Sequence, residues 1–159
     1  MKKGKLTIGT VCFLQDKEND RILFLNRSRE PMKDMFTGVG GKTEFEEDIN
    51  ESCVREIKEE TGLDACNLKL KGILKTILDG ADSSWILFVY TSDDFSGKQI
   101  DCSEGELKWI HKDDIQNLNL IGFIREILPM VLSEDALIEG TIRHDGNGNV
   151  VEKNILTMA

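Results

Sequence analysis

The segment GGKTEFEEDINESCVREIKEETGL, Gly40 to Leu63, places Glu56, Glu59 and Glu60 within about one turn of a helix, directly after a Gly-Gly step. Like charges one turn apart weaken an isolated helix. Three carboxylates on a rigid support can instead hold a hard cation such as Mg²⁺ or Mn²⁺ through oxygen, and the cation removes the repulsion. The glycines suit the same chemistry. A Gly-Gly step lets backbone approach a ligand closely and can leave a carbonyl free for a metal's oxygen shell. The ordinary meaning of clustered glycine, a tight turn, stands beside that reading.

The helix that carries these residues has signals at both ends. Asp48, with Glu51 three residues later, resembles a capping box, and Gly62 suits the left-handed position that ends a helix. Projected at about 100° per residue, Ile49, Cys53, Val54 and Ile57 form one apolar side. Glu59 falls opposite, near Arg55 and Glu51. A solvated charged face with Glu51–Arg55 and Arg55–Glu59 pairs explains that side adequately. It does not explain Glu56 and Glu60, which fall at the margin of the apolar stripe and lose solvation there without an evident partner.

The surrounding elements read as one domain over 1–159. KLTIGTVCFL and RILFLNR are strands joined by a polar turn, and LKLKGILKTIL and ELKWI are further strands. SWILFVYT is nearly continuous in apolar residues, as a central strand covered on both faces requires. Residues 28–39 read as a loop. Leu120, Phe123, Ile124, Ile127, Leu128 and Val131 recur at helical spacing, with Pro129 expected to kink or end that helix. Asp145-Gly146 and Asn147-Gly148 mark a closing hairpin turn.

Composition excludes several function classes. A net charge of −9 without a dense Lys/Arg run argues against a nucleic-acid polymer or an anionic membrane as partner. A small polyanion bridged by metal suits the same charge. No apolar run is long enough for a helical membrane span. The opening MKKGKLTIGTVCFLQ reads as a first strand rather than a signal peptide, since QDKEND follows where small residues should precede cleavage. Cys12, Cys53, Cys66 and Cys102 form no C-x-x-C pair and read as reduced thiols of a cytoplasmic protein. His111 and His144 are the only histidines, which disfavours a histidine-based metal site.

The acidic segment resembles the Nudix box, G-x₅-E-x₇-R-E-U-x-E-E-x-G-U with U a bulky aliphatic residue. Gly41, Glu47, Arg55, Glu56, Ile57, Glu59, Glu60, Gly62 and Leu63 fill every defined position of residues 41–63. The resemblance implies an α/β Nudix fold, a mixed β-sheet sandwiched between helices, and hydrolysis of a nucleoside diphosphate linked to another moiety. It implies metal ligation by Glu56, Glu59 and Glu60 with the Gly40 carbonyl, and buttressing by Arg55 paired with Glu47. Glu46 stands where many members have glycine.

Outside the box, RILFLNRSRE is similar to the family's second strand, which makes Arg27 a phosphate contact. DCSEGELKWI resembles the segment that supplies a further acid, base or ligand, with Glu104 the first choice and Glu106 the second. FTGVGGKTE and the closing EGTIRHDGNGNVVEKNIL look most like the MutT-type oxidised-purine nucleotide hydrolases. That likeness implies Mg²⁺-dependent cleavage of a purine nucleoside triphosphate such as 8-oxo-dGTP, with Mn²⁺ a possible substitute. Glu60, Glu56 and Glu104 are the candidates to take the proton, and Phe36, Thr37 and Val39 are expected at the base. A nucleotide adduct such as ADP-ribose is the rival substrate, and a non-catalytic nucleotide-binding module the rival of another class. A homodimer is left open.

Overall fold

A computed structural model describes residues 4–134 and 137–158. Ten strands, two α-helices and a 3₁₀ helix follow in the order β1 (Lys5–Asp16), β2 (Arg21–Arg27), β3 (Phe36–Thr37), α1 (Ile49–Thr61), β4 (Leu63–Cys66), β5 (Lys69–Leu78), β6 (Ser83–Ser92), β7 (Asp94–Gly97), β8 (Gly105–His111), the 3₁₀ turn Lys112–Asn117, α2 (Gly122–Val131), β9 (Leu137–His144) and β10 (Val150–Met158). The main sheet runs β10-β9-β5-β6-β1-β2-β3, with β8 also paired to β2. β1 lies parallel to β6 and β5 parallel to β9, while the remaining pairs are antiparallel. The sheet is therefore mixed, as the sequence implies. β4 and β7 form a separate two-stranded ribbon.

β1 explains the layering. Its alternate residues Val11 and Phe13 pack with Phe123, Ile124 and Ile127 of α2. Cys12 and Leu14 point the other way and pack with Cys53 and Ile57 of α1. A strand covered on both faces reads as an unbroken apolar run rather than an alternation, and TVCFL does. β6 sits between β1 and β5 and takes Leu87 and Val89 to the α2 side and Tyr90 to the α1 side.

Three local expectations need correction. Asp48 does occupy the start of α1, but its side chain caps no helical amide, so no capping box forms. Arg55 does not pair with Glu51; its guanidinium turns to Glu47, Glu56 and Glu59. Pro129 lies inside α2, which ends two residues later at Val131. Leu120, expected inside that helix, instead bridges to Phe36 just before it. The far end of α1 behaves as expected. Gly62 has φ 81° and its amide reaches the Lys58 carbonyl at 2.9 Å.

Candidate active site

The segment before α1 runs beside β1 and fixes where the carboxylates meet backbone. Cys12 N donates to the Val39 carbonyl at 2.6 Å, and Thr10 N to the Gly41 carbonyl at 2.8 Å. Extended backbone directs alternate residues to opposite sides, so the Gly40 groups point away from β1. The Gly40 amide donates to Glu60 Oε1 at 2.8 Å. Gly40 is sterically required by backbone, whereas a side chain at Gly41 would press on the movable end of Glu56. A Cβ on Gly40 would fall 2.2 Å from the Thr10 carbonyl oxygen, and one on Gly41 would fall 2.5 Å from the Glu56 carboxyl carbon.

Glu56 and Glu60 lie one turn apart on α1, beside the buried Cys53 and Ile57. Glu60 is only 6% exposed. Its carboxyl is pushed up to about 8, chiefly by burial; the Gly40 amide opposes that rise, and the charges of Glu104 and Glu56 add to it. Glu56 is half-buried and also raised, by burial first, against the pull of Arg55. Glu104 comes from the turn before β8 and comes close to Glu60. Ligand atoms of Glu60, Glu104 and Cys102 all lie within 4.8 Å of one another. Glu106 is exposed, lies 3.9 Å from Lys108 and takes no part in that cluster.

Arg55 organises the other carboxylates. It grips Glu47 with two bonds, Nε to Oε2 at 2.6 Å and a terminal nitrogen to Oε1 at 3.0 Å. The same guanidinium reaches Glu56 at 3.1 Å, both Glu59 oxygens at 3.2 Å and the Lys42 carbonyl at 3.1 Å. Its hydrogen bond from Arg55 holds the Glu47 carboxyl below its ordinary value. The Glu47 bond is also the main reason that the Arg55 proton is held more tightly than usual. Such a planar fork fixes geometry in a way a lysine point charge does not.

Next to the carboxylates a cavity of about 380 Å³ opens on the α2 side of the sheet. Glu60, Glu104, Gly40 and Arg27 line it together with Trp85, Phe123 and His144. Thr37 lines it as well, while Arg27 Nε is bonded to the Pro31 carbonyl at 3.0 Å. Two expected base contacts do not reach it. Val39 is fully buried in the core between β1 and α1, and Phe36 packs among the apolar side chains around α2. Both belong to the segment that pairs with its neighbours in the sheet, so their side chains are committed to packing.

Trp85, Met32 and His144 were not marked in sequence as cavity residues. For His144 a signal exists: Ile138, Ile142 and His144 share one phase of β9, which turns the histidine to the same face as the two buried isoleucines. Nothing comparable marks Trp85. Cys102 beside Glu60 follows only from the fold. All four cysteines are free thiols.

The model of the NUDIX domain matches residues 5–131. The chain belongs to the Nudix hydrolase family. Among curated proteins it resembles an uncharacterised Nudix hydrolase, YvcI of Bacillus subtilis, at 32% identity over 139 residues, 85% of each chain. It also shares 45% identity over 47 residues, 30% of its length and 28% of the other's, with an ADP-ribose pyrophosphatase from Methanocaldococcus jannaschii. Among solved structures, the mutator MutT protein from Bacillus halodurans superposes with a TM-score of 0.83 at 29% identity, covering 94% of this chain and 97% of that one.

Nudix hydrolases generally work with divalent cations, and the donor set here suits one. The buried Glu60 and the exposed Glu104 bring two carboxylates together, and the charge of Glu104 helps raise the Glu60 carboxyl. Oxygen donors of this kind favour a hard cation. No helix among the described residues is long and apolar enough to cross a membrane.

Proposed function

We propose that this Nudix hydrolase is a Mg²⁺-dependent pyrophosphohydrolase of nucleoside triphosphates, with Mn²⁺ able to substitute, and that its substrate is 8-oxo-dGTP or a related purine triphosphate. The observation that carries the reading is the continuity of the carboxylate cluster with the adjoining cavity. Its volume of about 380 Å³ lies within the range of small-molecule sites. Phosphates meet the Glu60–Glu104 end while the base enters between Trp85 and Phe123.

Water attacks a phosphorus, the P–O bond to the leaving group breaks, and nucleoside monophosphate and pyrophosphate result. The bound cation supplies charge stabilisation on the phosphoryl oxygens. Glu56, Glu59, Glu60 and the Gly40 carbonyl are the groups to hold it. Arg55 and Glu47 keep the carboxylates in place, and Arg27 at the rim orients phosphate. Glu104 is exposed and not bonded to a backbone amide, so it is freer than Glu60 to receive the proton of the attacking water.

The partial likeness to an ADP-ribose pyrophosphatase supports a second reading, the same chemistry on a nucleoside diphosphate sugar. It spans only 47 residues, whereas the likeness to a MutT protein spans nearly the whole chain. Pyrophosphate release and kcat/KM for 8-oxo-dGTP, dGTP, dCTP and ADP-ribose, at one Mg²⁺ concentration, separate the readings. A lead for 8-oxo-dGTP is expected. A lead for ADP-ribose, or equal rates on all triphosphates, removes the oxidised-purine assignment. Absence of turnover on the whole panel with Mg²⁺ favours a binding module.

A further inference from the structure

α1 covers its side of the sheet only in part. Cys12, Leu14, Leu23 and Leu25 lie beneath it with Cys53 and Ile57, but the same side continues over β6, β5, β9 and β10. Residues paired across neighbouring strands point the same way. The register therefore sets Leu6 and Ile8 of β1 beside Ser84 and Ile86 of β6. Ile86 is followed outward by Lys75, Thr141 and Asn154, and Phe88 by Ile73, Glu139 and Leu156. Leu137 and Met158 pair at the far end. Leu6 is 60% exposed and Leu156 56%, and Ile8, Ile73 and Met158 are exposed too. The opposite side of the same strands is closed, with Leu74, Leu87 and Ile138 buried in the core around α2.

The open face has the size and the charge of an interface. Strands about 4.8 Å apart, with same-side residues about 6.6 Å apart, span roughly 20 Å in each direction between outer Cα atoms. Side-chain width brings this to roughly 700 Å², close to the ~800 Å² that each partner buries in a standard interface. On a chain of net charge −9, Lys75 and Arg143 balance Glu139 and Glu152 there. Arg143 pairs with Asp79 and Glu152. Lys75 and Glu139, diagonal neighbours on β5 and β9, are exposed and form no ion pair among the described residues. A partner of one charge finds no net sign to bind here. A second copy finds both signs.

We propose that this open face docks a second copy of the chain, sheet against sheet, about a two-fold axis. An isologous contact sets residue i on j and j on i. Consider an axis in the contact plane, midway between Lys75 and Glu139 and perpendicular to the line joining them. It lays Lys75 of each copy on Glu139 of the other. Followed through the register, the same axis carries Leu6 and Ile8 of one copy over the Leu137–Met158 end of the other. It also carries Leu156 over a depression of about 320 Å³ lined in part by Leu6, Lys75, Ile77 and Arg143. The unpaired charges and the protruding leucine select the same axis.

Sedimentation velocity on a dilution series from about 100 µM downward tests this. Wild type should form a dimer that dissociates on dilution. Lys75→Glu and Glu139→Lys should each raise the dimer dissociation constant roughly tenfold or more, because each sets like charges face to face. The double variant, with the two charges exchanged, should restore the wild-type value. Leu156→Asp should leave a monomer. All these positions are exposed, and unchanged far-UV circular dichroism shows that each variant has folded. A wild type still monomeric at about 100 µM overturns the inference and leaves the face to another protein or to lipid. A dimer that neither single variant weakens, or that the exchanged pair fails to restore, overturns it as well.

Discussion

The Gly40 amide and the Glu60 carboxylate meet at 2.8 Å across twenty positions of chain. This bond holds the loop before α1 to the helix's last turn, where Glu104 also comes close to Glu60. Glu60→Gln keeps an oxygen for that amide but cannot ionise to a carboxylate. Turnover should fall by orders of magnitude, while the thermal midpoint without metal stays equal or rises, because the repulsion from Glu104 and Glu56 is relieved. Glu59→Gln should also lose turnover with little change in midpoint, since Glu59 is exposed. Unfolding of both variants, with activity following the folded fraction, would mean that these acids serve structure alone.

The same burial predicts an unusual pH dependence. The Glu60 carboxyl sits near 8 in the folded protein against 4.5 as the ordinary value. A raised value means the folded state binds more protons than the unfolded one between those limits. This contribution to stability is complete below about 4.5 and is lost as pH rises through about 8. Metal-free protein should therefore lose stability between pH 5 and 8, and Glu60→Gln should flatten that slope. Mg²⁺ binding should release protons in the same window and tighten as pH rises. Identical slopes for wild type and variant in chemical denaturation would exclude Glu60 as their source.

Arg55 binds Glu47 through two nitrogens and still reaches Glu56, Glu59 and the Lys42 carbonyl. A lysine keeps the charge and loses the fork. Arg55→Lys should weaken Mg²⁺ affinity by roughly 10- to 100-fold, the usual consequence of losing the groups that orient metal ligands. Activity measured across a Mg²⁺ titration should recover in part at high metal. An unchanged Mg²⁺ dependence would reduce Arg55 to a surface ion pair.

Gly62→Ala separates fold from chemistry. The position has φ 81°, and an added Cβ would stand 2.5 Å from the Lys98 carbonyl oxygen. Left-handed backbone alone costs a non-glycine residue about 1 kcal/mol, and the clash adds to it. Denaturant midpoints should fall accordingly, with kcat reduced far less than by loss of Glu60.

The box was legible in sequence because its residues lie within one helix and one adjoining loop, where spacing along the chain is spacing in space. Arg55 with Glu47 followed from the family resemblance, and the structure shows the pair at 2.6 Å. Glu104 was named from a similar segment, but its approach to Glu60 depends on β8 pairing with β2, a contact no local pattern encodes. The cavity was the least legible part. Its walls come from β5, β6, β9 and the start of α2, elements far apart in sequence. Phe36 and Val39 were assigned to the base because they precede the box, yet pairing with β2 and β1 turns them into packing residues.

Trp85 lines the cavity and Phe36 does not, and paired variants test which of the two meets the base. Trp85 is half-buried and lines the cavity. Trp85→Leu keeps apolar volume but removes the stacking face, so KM should rise roughly tenfold, a loss of about 1.4 kcal/mol in binding, with kcat nearly kept. Phe36 packs against the core around α2 and is not among the residues that line the cavity. Phe36→Ala should lower stability by about 2 kcal/mol, less than for a fully buried phenylalanine, and leave KM near wild type in the folded fraction. Thermal midpoints and KM for the same triphosphate, measured on both variants, decide the assignment. A KM effect confined to Phe36→Ala would return the base to the loop before the box and empty the cavity of its proposed role.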